Sequence, residues 1–267
     1  MTLSNNKNTP DSAQLLERAR QFLEEGDEIH YFLTLKSAAV NHHPEAELLL
    51  GWCFMKGIGV ETDWTSAVSW YRNAAEHGNL RANAYLAYLL INTEASDERV
   101  AEALQWLQPA AEKGEPYAQY LLWWIYSQGL GVTPDPVLAI DWLVRSAEQD
   151  FALSENQLGF TYCDGFHVQV NRPLGISWYN RAATHGFHTA AFNLAWQWHK
   201  VSCDETDPVK KREADDQTIF WAEKMREFDD LNARLVLALV KIYGSEELHD
   251  FDKAIPELQE LAEMVFS

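Results

Sequence analysis

Apolar residues along the chain recur at two spacings. Within a segment they fall at i, i+3, i+4, i+7 and i+8, as in Ala67, Trp70, Tyr71, Ala74 and Ala75, which is the single apolar stripe of an amphipathic helix. The stripe returns as Ala103, Trp106, Leu107, Ala110 and Ala111, and again as Ala139, Trp142, Leu143, Ser146 and Ala147. Between segments the whole pattern steps by 36 residues: Trp70, Trp106, Trp142 and Trp178 form one column, and Leu50, Leu86, Leu122, Leu158 and Leu194 form another. A third runs Ala46, Ala82, Ala118, Ser154 and Ala190, and a fourth Gly78, Gly114, Asp150 and Gly186. Such a period marks a repeat architecture.

Each period divides into two helices. Asp63, Asp135 followed by Pro136, and Asn171 stand where N-cap side chains would accept bonds from free backbone N–H groups of the second helix. Gly78, Gly114 and Gly186 suit a left-handed C-terminal residue. The first helix leads into Gly57-Ile58-Gly59-Val60, matched by Gly129-Leu130-Gly131-Val132, and glycines there allow a tight turn between antiparallel helices. The unit is a helical hairpin, and the expected fold is all-α.

The string Ala46, Leu50, Gly51, Phe54, Gly57, Gly59, Val60, Asp63, Ala67, Trp70, Ala74, Ala75, Glu76 and Gly78 resembles the Sel-1-like repeat, a relative of the tetratricopeptide repeat. The resemblance implies a right-handed αα-superhelix, a solenoid of about six helical hairpins. It also implies an adaptor that holds proteins or peptides in a concave groove and has no chemistry of its own. The expected organisation is a disordered N-terminal tail over 1–11, an atypical capping hairpin over 12–43, four repeats over 44–188, a repeat with a seven-residue insertion over 189–231, and a degenerate closing hairpin over 232–267. End units deviate because one of their faces meets water instead of a neighbour. Residues 81–116 keep the length but replace the glycine loop with Thr93-Glu94-Ala95, and the inserted segment carries Lys210, Lys211 and Arg212, read as a solvated loop. Some members of the family carry a cysteine pair in each repeat. Cys53 and Cys163 have no partner in register, so that disulfide-bonded branch is not implied.

A further column holds an aromatic residue in five successive units: Trp52, Tyr88, Trp124, Phe160 and Trp196. It lies two residues past the leucine column, about 200° around a helix, so it points away from the leucines. It either wedges between successive hairpins or lines the inner groove. First-helix positions left free by the repeat, including Tyr85, Gln128, Gln157 and Asn193, vary on a constant frame and complete the candidate partner-binding set.

Catalytic and metal chemistry find little footing. His42 and His43 are adjacent and His185 and His188 lie three apart, but no Glu or Cys completes a set of recognised spacing. His199 and Cys203, at i and i+4, have no third partner in the sequence. Neither a catalytic residue, a cofactor nor a metal is expected, and no small-molecule substrate.

Forty acidic against twenty-one basic residues give a net charge of -19. That charge disfavours nucleic acid and anionic membranes and favours a basic protein partner. It equally suits a different class of protein, an acidic inhibitor or immunity protein that neutralises a basic toxin or enzyme by one-to-one binding. The longest continuous apolar run, Leu121 to Tyr126, is far below the roughly 18 residues of a spanning helix, so no membrane insertion is expected. Three cysteines, an odd number, fit free thiols in a reducing cytoplasm.

Overall fold

The computed structural model describes residues 11–93 and 96–266. The expected disorder of residues 1–10 and the loop residues Glu94 and Ala95 lie outside the described residues. Among those described, fourteen α-helices follow one another in pairs and no strand is present. The chain divides into two compact units, Met1–Trp142 and Leu143–Ser267.

In the first unit, α1 (Ser12–Glu24) packs on α2 (Glu28–Ala39), α3 (Pro44–Lys56) on α4 (Trp64–Glu76), and α5 (Leu80–Thr93) on α6 (Asp97–Glu112); α7 (Pro116–Gln128) then packs on α6. The leucine column is its spine: Leu50, Leu86 and Leu122 are wholly buried. The tryptophan column packs from the edge, with Trp70 against one apolar cluster and Trp106 and Trp142 against the other. Every predicted start that the chain offers here is used. The Asp63 carboxylate accepts from Thr65 N and Ser66 N, and the Asp135 carboxylate from Leu138 N. Gly57 and Gly129 close α3 and α7 in the left-handed conformation, at φ 76° and 68°. Gly59, also left-handed, lies so close to α2 that a Cβ would fall 2.0 Å from the Glu28 carbonyl oxygen.

Gly51 is required for a different reason. A Cβ there would stand 2.6 Å from the Tyr71 ring, which is wholly buried. The second unit repeats the device at Gly159 and Tyr179, whose ring would meet a Cβ at 2.4 Å. In repeats where the glycine position holds alanine, as at Ala87, the tyrosine position holds a smaller residue, Leu107. In these three hairpins a larger side chain on one helix thus faces a smaller residue on the other.

The helix α8 (Pro136–Ala147) carries the division between units. In the second unit α9 (Ala152–Asp164) packs on α10 (Arg172–Thr184), α11 (Thr189–Asp204) on α12 (Pro208–Met225), and α13 (Asp230–Tyr243) on α14 (Phe251–Phe266), with a single 3-10 turn at Glu246–Leu248. The insertion corrects the sequence reading. Lys210, Lys211 and Arg212 are not in a loop but in the first turns of α12, which begins at the Asp207 N-cap. Extra residues are absorbed by lengthening two helices to 16 and 18 residues, where α9 and α10 have 13. A helix keeps its backbone groups paired, which a long loop would not. The fully buried Asp215 secures this hairpin, accepting from Ser202 Oγ, from Ser245 N at 2.7 Å and from Ser245 Oγ at 2.6 Å.

Candidate functional site

In the first unit, three of the predicted binding residues, Trp52, Tyr85 and Tyr88, converge on one cleft of about 450 Å³, together with Met55, Lys56, Trp64 and Tyr117. Their convergence follows from the repeat. Trp52 leaves α3 and Tyr85 and Tyr88 leave α5 from neighbouring first helices, so equivalent side chains meet across the step. Trp64 enters from the start of α4, off that helix's apolar stripe, and is about half exposed. The cleft's floor is a chain of rings. Tyr71 and Tyr85 stack at 5.3 Å, Tyr85 and Tyr117 are 5.4 Å apart, and Tyr88 and Tyr117 are 6.4 Å apart. Offset and tilted pairs of this kind are favoured by the ring quadrupoles. Burial raises the Tyr71 and Tyr117 phenols above their ordinary pKa, so both stay neutral donors at any physiological pH.

Along the aromatic column the alternatives left by the sequence separate. Trp52, Tyr88, Trp124 and Trp196 are half-buried and Phe160 is 42% exposed, whereas every leucine of the neighbouring column is 0% exposed. The column is an edge of the core, with rings partly open to water. The other predicted residues do not join the cleft. Trp124 packs on the first unit's core and Gln128 is exposed beside Ser127. In the second unit, Gln157 is half-buried, the Asn193 amide donates to Asn156 at 2.8 Å, and Trp196 lies 6.5 Å from Phe192 and 5.9 Å from His199. Met55, Trp64 and Tyr117 escaped the sequence reading because none belongs to the aromatic column. An exposed tryptophan directly after an N-cap was the available signal for Trp64.

The second unit has a wider hollow of about 910 Å³ beside the inserted helix, lined by residues that include Lys211, Arg212, Tyr243 and His249. Its cations are already engaged: Lys211 Nζ donates to the Tyr243 carbonyl at 3.0 Å, and Arg212 pairs with Asp216 and Glu247.

The thiols lack the setting of a nucleophile. Burial pushes Cys53 up to about 12 and Cys163 up to about 11, and raises Cys203 as well. Cys203 Sγ is 3.7 Å from His199 Nε2, but burial holds that imidazole below its usual pKa, so the pair is a neutral thiol and a neutral ring. Reactive cysteines need the reverse shift.

The repeat also gathers charged side chains that no sequence spacing had brought together. His42, Glu47 and His77 meet in the first unit, and Asp150, Glu155 and His185 at the equivalent place in the second. The cross-hairpin step that joins them is thirty residues, as in His77 to Glu47 and His185 to Glu155, both at 2.7 Å. That step would have been the signal.

Comparison with known proteins agrees with this architecture. The sequence matches the Sel1 repeat over residues 44–79, 96–115, 116–151 and 152–187. No curated protein matches it. Among solved structures, a Sel1 repeat protein from Oxalobacter formigenes is 20% identical, with 93% of this chain and 99% of that one covered and a TM-score of 0.73. A protective antigen of uropathogenic Escherichia coli with an SLR fold is 24% identical at a TM-score of 0.64, covering 95% of this chain and 54% of its own. An immunity protein from Pseudomonas aeruginosa is 18% identical at a TM-score of 0.55, with 95% and 94% covered. These likenesses establish the all-α repeat solenoid as the fold class. No described helix is long and apolar enough to cross a membrane. With its 36-residue columns, its capped hairpins and its matched repeats, the chain belongs to the Sel1 repeat family.

Proposed function

We propose that this protein is a non-catalytic scaffold that binds a protein or peptide carrying basic side chains, and that the aromatic cleft of the first unit is its principal seat. The observation that carries the reading is the convergence of Trp52, Tyr85 and Tyr88 with Trp64 and Tyr117 around one open cleft. Tyrosine and tryptophan faces attract a Lys or Arg head group within about 6 Å of the ring. They also supply anchors of low conformational cost, and such residues dominate interface energetics. The net charge of -19 would raise the rate of encounter with a cationic partner and suppress wrong ones. Three free cysteines suit a reducing, cytoplasmic setting.

The test is capture of partners on the full-length protein, followed by affinity measurement on whatever is captured. Tyr88→Ala and Trp52→Ala should each weaken binding about tenfold or more, near 1.4 kcal/mol, while lowering Tm by less than about 4 °C. Unchanged affinity in both variants would remove the cleft from the function.

A second reading is favoured by the fold shared with immunity proteins from Pseudomonas aeruginosa and by the acidic charge. Here the protein occludes a basic toxin or enzyme as a one-to-one inhibitor. Sub-nanomolar one-to-one binding to a cationic enzyme would decide for it and against the adaptor.

A further inference from the structure

We propose that His42, Glu47 and His77 form a site for a divalent transition metal ion of the Zn²⁺ class. Their three ligand atoms lie within 4.8 Å of one another. His77 Nδ1 is 2.7 Å from Glu47 Oε2, His42 Nδ1 is 3.6 Å from Glu47 Oε1, and the two rings are 4.8 Å apart. The Glu47 side chain is only 1% exposed, while His77 and His42 are 35% and 73% exposed. The site therefore has a buried anionic floor and a roof open to water. Two imidazoles and a carboxylate, with a further position for water, form a three-ligand set that Zn²⁺ accepts, and nitrogen ligands select it over Mg²⁺ or Ca²⁺.

The repeat supplies an internal comparison. In the column of Glu47, the next two units carry amides, and both donate to carbonyls of a second helix: Asn83 to Trp106 O at 3.1 Å and Gln119 to Ala111 O at 2.9 Å. A carboxylate cannot donate, and burying its charge needs a compensating cation. The column's other glutamate, Glu155, has one. Arg181 Nε stands 2.9 Å from Glu155 Oε1, and the same guanidinium reaches Asp150 at 2.9 Å. Three repeats earlier the place of Arg181 belongs to Asn73, which carries no charge. His42 Nδ1 faces Glu47 Oε1 at 3.6 Å, beyond hydrogen-bond distance. A metal ion would stand where the guanidinium stands in the second unit.

The backbone agrees. The residue that closes the preceding helix is a left-handed glycine at 78, 114 and 186. His42 and Asp150 adopt the same conformation, at φ 55° and 60°, despite its cost to a residue with a Cβ. Each thereby delivers a ligating group over the buried glutamate.

The experiment is calorimetric titration of the untagged, chelator-treated full chain with ZnCl₂, with Co²⁺ absorption as a second readout. One equivalent should bind near neutral pH. Glu47→Gln and His77→Ala should each weaken binding at least about tenfold, and His185→Ala should leave it unchanged. Glu47→Gln introduces the residue that column already holds at Gln119, so loss of the fold would not obscure the result. Absence of binding to the folded wild type, or one equivalent that survives Glu47→Gln and His77→Ala, would overturn the proposal.

Discussion

Glu47 and Glu155 occupy one position of the repeat, and both are buried against a histidine thirty residues on. They differ in what completes them. Glu155 has a guanidinium 2.9 Å and an imidazole 2.7 Å away, and Arg181 also donates to the Ala147 carbonyl and lies 4.6 Å from the Trp178 ring. Among the described residues, the basic groups within ion-pair distance of Glu47 are two imidazoles. The same frame thus holds a finished ion pair in one unit and an unfinished one in the other, because a single substitution column, Asn73 against Arg181, decides whether a permanent cation is present. Identical backbone register does not carry identical electrostatics.

Removing the cation should have the largest effect. Arg181→Ala strands Glu155 in the core. Loss of one partner of a buried pair costs roughly 3–5 kcal/mol, and since Arg181 is partly exposed and His185 remains, about 2–3 kcal/mol is expected by chemical denaturation. A loss below about 0.5 kcal/mol would erase the contrast between units.

Grafting tests it from the other side. Asp150→His combined with Arg181→Asn rebuilds the first unit's set around Glu155, and the titration should then show a second equivalent of Zn²⁺. A double variant that stays folded and binds no more metal than the wild type would show that the register alone does not make the site.

Buried titratable groups give the two units opposite pH responses. Burial raises the Glu115 carboxyl of the first unit above its ordinary value and lowers His199 of the second below its own. A raised carboxyl pKa contributes stability below the unfolded value near 4.3, lost as pH rises through the folded value; a lowered histidine pKa contributes stability above about 6.5, lost as pH falls through that range. Glu115→Gln should therefore flatten the stability profile on the acidic side, and His199→Gln should flatten it where the imidazole protonates. Profiles unchanged by both substitutions would exclude these groups as the source.

The smallest effect belongs to Asn73→Ala. This exposed residue has no buried charge to satisfy, so the change should stay within about 0.5 kcal/mol. Anything approaching the Arg181→Ala loss would mean that the two positions do not differ as argued.

Much of this was legible in the sequence. The 36-residue columns specified the hairpins, and the caps at Asp63, Asp135 and Asn171 bond as their residue types require. Trp52, Tyr85 and Tyr88 were singled out by the same columns, since a regular helix fixes which residues share a face. The reading failed at Lys210–Arg212 because charge and the absence of a repeat match resemble a loop, while the helix there is held from outside, by Asp215 bonding to Ser202 and Ser245. It also missed Tyr117 in the cleft and Glu47 beside two histidines, both of which meet their neighbours across a hairpin step.

The sequence by itself determined the elements, their order and their stacking frame, because helix periodicity, capping and glycine conformation are local and repeat with the chain. Tertiary structure alone decided which aromatic rings stay open to water and which buried carboxylate has a cation. Both depend on side chains about thirty residues apart meeting across a packed interface, where one residue's charge or volume sets its partner's state.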